Sequence, residues 1–364
     1  MAVRTTKVSS LGEYFAEVAG LAGKNVEKTG KGHKDSAVLW FRAESQFDYS
    51  LIPSMFRNNP LRYCGNEQYS SWHYEEDMRT QHYHARGFHY FGKEPSSRIE
   101  WLEVMQHHEV STRLLDWSES CMHSLLFALE PFFSKKSYYY NDTPDINPCV
   151  WVLDPAALNQ RLFEEILERE DLQRELLREF CLHDPAIVQI MQYAKDNVNL
   201  ANEKKGFHIN HIVNLSEISD ELHRERHHID KVMARGEFHP LFYFLGKIFS
   251  DGYTVPAFSL PPLAVVQPYH SPRIKEQRGV FTVFPFYSFA EEKEGHLFTN
   301  LNEMKISPVS LSFHKAAKDV LHKIILVRPQ QIASEMLSAG ANENWLYPEL
   351  PIFANQIEGG RIYR

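Results

Sequence analysis

Apolar residues recur along this chain with two periods, one typical of helices and one typical of buried strands. Near the N-terminus the helical period is carried by Leu11, Tyr14, Phe15, Val18 and Leu21. A polar, glycine-rich stretch at 23–34 follows and is expected to be a loop. Residues 37–43 are mostly apolar, with two aromatic side chains, and predict a first core strand that carries Arg42 near its end.

The rest of the pattern predicts helices in the middle of the chain and strands on both sides of it. Helices are expected at 66–91 and 156–180, and helical or irregular sequence continues to about residue 250. Apolar runs predict further strands at 149–155, 263–267, 279–285 and 322–329, with a last helix at 330–340. We therefore predict an α+β fold in which strands from both ends of the chain form a small sheet around a large helical middle. The expected organisation is an N-terminal helix and loop at 1–35 and one domain at 36–364, with a helical insertion at about 156–255.

Polar side chains are concentrated at 101–128, between two apolar runs with helical spacing. The pattern predicts a helix, a polar turn at 109–112, the segment 113–117 and a second helix. Arg113 and Asp116 flank two leucines, so both charges are expected to lie near a buried wall and to need partners. Two interpretations stay open: the two charges pair with each other and fix the turn, or they belong to a functional site.

Composition and charge narrow the class of protein. The chain has 364 residues, 43% of them hydrophobic, which is enough for a sizeable core. The net charge of -8 and the pI of about 6.2 argue against general binding to DNA or to an anionic membrane. Four scattered cysteines, an N-terminus without an apolar signal segment and the absence of a long apolar run predict a cytoplasmic protein with no membrane span.

Four sequence blocks stand out along the chain: Trp40-Phe-Arg-Ala43, Met105-Gln-His-His-Glu-Val-Ser-Thr-Arg-Leu-Leu-Asp-Trp-Ser118, Val150-Trp-Val-Leu-Asp-Pro155 and Pro272-Arg-Ile-Lys-Glu-Gln-Arg-Gly-Val-Phe-Thr282. Together and in this order they resemble the bacterial FRG domain family. The likeness extends from about residue 36 to at least residue 330. Ala43 and Glu109 stand where the family usually has glycine. Replacing glycine at position 43 disfavours positive φ and crowds whatever approaches the backbone there. For the whole protein the resemblance implies a bacterial or phage setting and a role in phage defence or toxicity.

The aromatic-arginine pair in the first strand is also similar to the opening motif of the ADP-ribosyltransferase superfamily, in which the arginine holds the phosphates of NAD. By this analogy Arg42 binds phosphate through its guanidinium fork. His107 orients the ribose, Asp116 or Glu119 stabilises the cation that develops during N-glycosidic cleavage, and Gln277 marks a later strand. The further ligand-binding residues that we predict are Phe41, Gln106, Thr112, Arg113, Trp117 and Arg273.

Other interpretations are kept beside this one. The same cluster suits a non-catalytic module that binds a nucleotide, RNA or a protein. Arg42 by itself is also explained by a structural role, as an edge-strand arginine paired with Glu44 or Asp48. Pairs such as His82 with His84 and His208 with His211 lack a third ligand, so no metal site is predicted. We do not predict a cofactor with certainty, and NAD is the candidate substrate. The expected partner is a nucleotide-like small molecule, and a protein or RNA is a candidate acceptor.

Overall fold

The structure is a computed structural model. It describes residues 3–29, 38–58, 71–87, 95, 98–133, 147–168, 248–249, 254–256, 260–266, 272–288, 310–341 and 345–346. Most of the expected helical insertion, including His208 and His211, lies outside these residues.

Strands and helices alternate over the described part of the chain. The strands are β1 (Arg4–Val8), β2 (Trp40–Glu44), β3 (Leu114–Ser118), β4 (Cys149–Leu153), β5 (Thr254–Pro256), β6 (Leu263–Val265), β7 (Gly279–Val283), β8 (Phe286–Ser288) and β9 (Leu321–Leu326). The helices are α1 (Leu11–Thr29), α2 (Ser54–Asn58), α3 (Ser71–Gly87), α4 (Arg98–His107), α5 (Cys121–Phe133), α6 (Pro155–Glu168), α7 (Pro272–Glu276) and α8 (Pro329–Ser338). Two 3-10 turns, Leu311–Phe313 and Lys315–Ala317, precede β9.

Seven of the strands form one mixed sheet with the order β1-β9-β4-β2-β3-β7-β6. The pair β1 and β9 is parallel, and the other neighbours are antiparallel. The predicted combination of helices with strands from both ends of the chain is confirmed. The sheet is larger than the small one that we expected, because it contains two strands that the sequence pattern did not indicate, β1 at the edge and β3 at the segment 113–117 between the two predicted helices. A separate parallel pair is formed by β5 and β8.

Helices cover both faces of this sheet. In β4 successive side chains alternate between the faces, as the strand period requires. Val150 and Val152 pack with buried residues of α1, α5 and α8. Trp151 and Leu153 belong to the opposite core, which also contains buried residues of α3, α4 and α6. All five side chains of β4 are buried, as expected for a strand that is covered on both faces.

The sheet opens between its central strands β2 and β3. Strands β2 and β4 pair at five positions, from Trp40 with Leu153 to Glu44 with Cys149. In contrast, β2 and β3 share the paired position Phe41 with Ser118. Beyond that position the two strands are bridged by the Arg42 side chain, whose Nη1 donates to the Asp116 carbonyl oxygen at 2.8 Å. This opening places the polar residues of both strands at the wall of a cleft.

Among the described helices, none combines the length and apolar character needed to cross a membrane.

Candidate functional site

A cavity of about 460 Å³ lies beside the opening between β2 and β3. Residues of α4, α5 and α7 complete its wall, together with Gly279 and Phe281 of β7. Aromatic side chains of Phe41, Phe127 and Phe281 share this wall with charged and amide side chains. A concave site with an apolar wall and a few convergent polar groups is the usual form of a small-molecule site.

Eight of the eleven predicted site residues line this one cavity. They are Phe41, Arg42, Gln106, His107, Asp116, Trp117, Arg273 and Gln277. They come from β2, α4, β3 and α7, with Gln277 directly after α7. The fold therefore brings together residues that are up to 236 positions apart in the sequence. The three that are absent from the lining are Thr112, Arg113 and Glu119.

Arg42 is held by protein partners on two sides. Its Nε donates to the Glu44 Oε1 at 2.8 Å, and its Nη1 lies 3.8 Å from the Asp116 Oδ2. The Arg42 side chain is 15% exposed. The pairing with Glu44 that we considered for an edge-strand arginine is therefore present, and the same arginine also faces the cavity. A guanidinium has five N–H donors, so these contacts leave it able to bind a further acceptor.

A chain of hydrogen bonds positions Asp116 in the cavity. The Thr112 Oγ1 donates to the Gln106 Oε1 at 2.5 Å, and the Gln106 Nε2 donates to the Asp116 Oδ2 at 2.9 Å. The Thr112 hydroxyl also accepts from the Leu114 N–H. The Asp116 side chain is 53% exposed. Thr112 thus acts through Gln106, which presents the carboxylate to the cavity in one orientation.

Other predicted residues have contacts that narrow their roles. The Gln277 Nε2 donates to the Leu346 carbonyl at 2.7 Å, so this side-chain amide has a backbone partner beside the cavity lining. The Trp117 indole N–H donates to the Thr282 Oγ1 at 3.1 Å, and its ring is buried in the core. His107 packs edge-to-face with His108, with ring centroids 5.1 Å apart.

Arg113 does not line the cavity because it is buried in the scaffold. Its Nε donates to both carboxylate oxygens of Glu76 at 3.1 Å, and its two terminal nitrogens donate to the Phe284 and Phe249 carbonyls. The guanidinium carbon also lies 4.7 Å from the centre of the Phe286 ring. The interpretation in which Arg113 and Asp116 pair with each other is therefore wrong, since Arg113 pairs with Glu76 of α3, a carboxylate that the sequence did not single out.

Glu119 also stands outside the lining. Its backbone N–H donates to the Arg278 carbonyl at 3.0 Å, which ties the end of β3 to the turn before β7. Burial raises the pKa of Glu119, and the nearby Arg278 lowers it by a smaller amount. With Asp116 in the cavity and Glu119 outside it, Asp116 is the better placed of the two carboxylates that we considered.

The cavity includes an acid that the sequence analysis missed. Glu103 is 1% exposed and lines the cavity from α4. Burial, and then the charge of Glu100, raise its pKa to about 8. Glu103 precedes Gln106 and His107 by three and four residues, so the helical period places all three on one side of α4. That spacing was visible in the sequence and could have revealed Glu103.

Ser124 is a second residue that was missed, and its hydroxyl is an open hydrogen-bonding group. The side chain lines the cavity from α5 and is 1% exposed. Its Oγ has no hydrogen-bond partner among the described residues. Buried hydroxyls are nearly always paired in folded proteins, so an open one at a cavity wall indicates a place for a ligand atom.

A second arginine lies within electrostatic reach of the first. Burial lowers the pKa of Arg57 on α2; the charge of Arg42 lowers it further, and Glu44 and Asp116 oppose this. The Arg57 Nε donates to the Ile52 carbonyl at 2.7 Å. Arg57 thus adds positive charge near Arg42 without being part of the cavity lining.

The two positions where the resemblance expects glycine have different backbone conformations. Glu109 has a φ of 64°, in the left-handed region that favours glycine. Ala43, however, lies in β2 and pairs with Val150 of β4. The described residues with positive φ do not include Ala43, so alanine fits the backbone conformation at this position without strain.

Over the described part of the chain, no group of three or more His, Cys, Asp or Glu side chains is arranged to hold a metal ion.

Fold and site together define a mixed α/β protein with a polar, aromatic-walled cleft at an opening in its central sheet. Residues 37–137 match the family model of the FRG domain, so the chain contains an FRG domain. The match covers β2, α3, α4, β3 and α5, whereas the two later sequence blocks of the resemblance lie beyond it. No curated protein and no solved structure matches this chain.

Proposed function

We propose that the cleft binds a nucleotide-like small molecule and cleaves its N-ribosyl bond, passing the ribosyl group to water or to another acceptor. NAD is the first candidate substrate. The observation that carries this proposal is the convergence of Arg42, His107 and Asp116 in one cavity. A guanidinium suits a phosphate, and a carboxylate suits the positive charge that develops at the ribosyl carbon. The aromatic wall offers a surface for a base.

The roles follow from the contacts of each residue. Arg42, fixed by Glu44, binds the anionic part of the ligand from its remaining N–H groups. Asp116, oriented by Gln106, faces the ribosyl carbon. His107 of α4 and Arg273 of α7 contact the ligand from other parts of the cavity wall. The open hydroxyl of Ser124 supports a ligand in this cavity, because binding would supply the partner that the hydroxyl lacks.

The proposal includes a functional analogy with the ADP-ribosyltransferase superfamily. The analogy rests on the aromatic-arginine pair Phe41-Arg42, which lies on β2 and lines the cavity. Gln277 is less suited to the role of the later catalytic residue, because its amide nitrogen binds the Leu346 carbonyl. A protein or RNA acceptor, a cytoplasmic site of action and a role in phage defence stay predictions.

A non-catalytic binding module is the second candidate. It is favoured by the contacts of Arg42, whose Nε and Nη1 are already bonded to Glu44 and to the Asp116 carbonyl. A module of this kind would bind a nucleotide without turning it over. Binding and turnover must therefore be measured separately.

The test is binding and turnover of NAD by the purified protein. Thermal shift reports binding, and nicotinamide release followed by NMR reports turnover. We expect both in the wild type, no turnover in Asp116→Asn, and loss of binding in Arg42→Ala. Ser124→Ala is a matched binding variant, because it removes a hydroxyl that has no hydrogen-bond partner among the described residues. Binding without turnover would favour the non-catalytic module. If the wild type neither binds NAD nor turns it over, the proposal for NAD is contradicted.

A further inference from the structure

Two carboxyl groups of the cavity have opposite surroundings. Glu103 is 1% exposed and sits on α4 among buried residues. Asp116 is 53% exposed, accepts a hydrogen bond from Gln106 and lies near Arg42. Burial disfavours the charged form of a carboxyl, and a donor or a nearby cation favours it. A buried carboxyl that keeps its proton at the wall of a cavity is suited to general acid catalysis.

The neighbours of Glu103 strengthen this difference. Glu100, one turn earlier on the same helix, is also buried, and its negative charge adds to the effect of burial in raising the pKa of Glu103 to about 8. The titratable groups that line the cavity with Glu103 are Arg42 of β2, His107 of α4, Glu109 after it, Asp116 of β3 and Arg273 of α7. At neutral pH Glu103 therefore holds a proton at the wall of the cavity.

We propose that Glu103 is the proton donor of this cleft, and that its substrates consequently include ribosyl N-glycosides whose base must be protonated in order to leave. This inference rests on the proposed function, since it assumes that the cleft cleaves an N-ribosyl bond. It adds to NAD a second substrate class, the nucleotides that carry a neutral base, such as a purine.

The reaction balances with water as the second substrate. Water attacks the ribosyl carbon, the bond from that carbon to the base nitrogen breaks, and its electron pair goes to the base. Glu103 transfers its proton to that nitrogen, and the proton of the attacking water passes to Asp116 or to solvent. Glu103 then regains a proton from solvent. The products are the free base and ribose with a hydroxyl at the former glycosidic carbon, and no oxidant or reductant is needed.

NAD differs from such a substrate at the leaving group. Its nicotinamide is a cation while it is attached and leaves as a neutral ring without taking a proton. A general acid therefore speeds the departure of a purine but not that of nicotinamide. Two mononucleotides that differ in the base alone, AMP and nicotinamide mononucleotide, isolate this property.

The experiment compares both mononucleotides as substrates of the wild type, Glu103→Gln and Glu100→Gln. We expect Glu103→Gln to lower the kcat for AMP by roughly 10²- to 10⁴-fold, the usual contribution of a general acid, and to change that for nicotinamide mononucleotide by less than about tenfold. The wild-type kcat for AMP should fall as the pH rises through about 8, where Glu103 loses its proton. Glu100→Gln is the matched control: it keeps the activity and moves this fall to lower pH, because Glu103 loses a negative neighbour.

A second measurement tests the proton without any turnover. The infrared spectrum of the wild type at pH 7 should contain a carbonyl band of a protonated carboxyl that Glu103→Gln lacks. Absence of this difference would overturn the proposal, as would an equal loss of activity on both mononucleotides or wild-type cleavage of nicotinamide mononucleotide alone. If the wild type cleaves neither mononucleotide, the proposed function has failed. The role of Glu103 as proton donor to the leaving base then fails with it, even if the infrared band shows that Glu103 carries a proton.

Discussion

One short segment, Thr112 to Asp116, supplies a charged residue to each of two very different regions. Arg113 enters a buried cluster in which Glu76 and two backbone carbonyls use its donors. Asp116, three residues later, is 53% exposed at the wall of the cavity. The sequence presents both as polar residues beside the same two leucines. The structure separates them into a scaffold charge and a site charge.

Arg113 and Asp116 differ in how far the protein itself supplies their hydrogen-bond partners. A charge that is fully buried must have its hydrogen bonds supplied by the protein, since water cannot supply them. Arg113 meets that condition with Glu76, Phe249 and Phe284, and it thereby joins α3 to the sheet. A charge in a cavity needs enough protein contacts to fix its direction, but it must keep capacity for a ligand. Asp116 meets that condition with Gln106 and Arg42.

The largest expected effect comes from breaking the buried cluster. Arg113→Met would remove the fully buried partner of the Glu76 carboxylate and leave Arg98, whose Nη2 lies 3.0 Å from the Glu76 Oε1. Removing one member of a buried ion pair costs about 3–5 kcal/mol, and the remaining contact with Arg98 puts the expected loss at the lower end of this range. We expect urea unfolding, followed by circular dichroism, to show a loss of this size in the free energy of unfolding.

The double variant Arg113→Met with Glu76→Leu is the control for this prediction. It removes both charges, so it should recover part of the stability that the single substitution loses. A single variant that loses less than about 1 kcal/mol, as a surface pair would, contradicts a scaffold role for Arg113.

The second prediction concerns the buried carboxyl on the cavity side. Because the pKa of Glu103 is raised from 4.5 to about 8, the folded protein binds its proton more tightly than the unfolded chain does. Its contribution to the free energy of unfolding is full below pH 4.5 and is lost as the pH rises to about 8. The slope is about 1.4 kcal/mol per pH unit between these limits.

Glu103→Gln removes this slope. Urea unfolding of the variant and the wild type should be compared at several pH values from 5 to 9. The variant should gain relative to the wild type as the pH rises and level off above about pH 8. A difference that does not change with pH would show that Glu103 has no raised pKa.

The parts that the sequence predicted, and those that it did not, differ in how they are stabilised. The helix α1 has apolar residues at the helical period, and the strands β4 and β9 are mostly apolar runs that are buried in the sheet. The two strands lie near their predicted positions, whereas α1 begins where we expected and continues to Thr29, into the stretch predicted as a loop. Strand β1 was missed because its sequence Arg-Thr-Thr-Lys-Val is polar and mostly exposed, and its backbone pairing with β9 holds it in the sheet.

The candidate site shows the same division. Phe41, Arg42 and Asp116 were found because unusual polar residues adjoin apolar runs. Glu76 and Glu103 were missed because each lies in a helix where an acid looks like part of a solvated face. Their burial depends on packing against elements that are distant in the sequence, and no local pattern contains that information.

The third prediction compares the two positions where the family resemblance expects glycine. Glu109→Gly should relieve the left-handed backbone at φ 64° and raise the free energy of unfolding by about 0.5–1 kcal/mol, after the greater freedom of glycine in the unfolded chain is counted. Ala43→Gly is the matched control within a regular strand, where glycine should lower the stability by about 0.5–1 kcal/mol. Thermal unfolding of the two variants checks the signs. Equal signs would contradict the backbone argument.

The smallest expected change in stability is that of Asp116→Asn, the cavity counterpart of Arg113→Met. The side chain is 53% exposed, and asparagine keeps an oxygen that can accept from the Gln106 Nε2. We therefore expect the free energy of unfolding to change by no more than about 0.5 kcal/mol, as for other surface substitutions. The variant should nevertheless lose turnover if Asp116 stabilises the developing cation. A loss of stability above about 2 kcal/mol would place Asp116 with Arg113 in the scaffold, because a charge that faces the cavity to bind a ligand contributes little to the folding of the free protein.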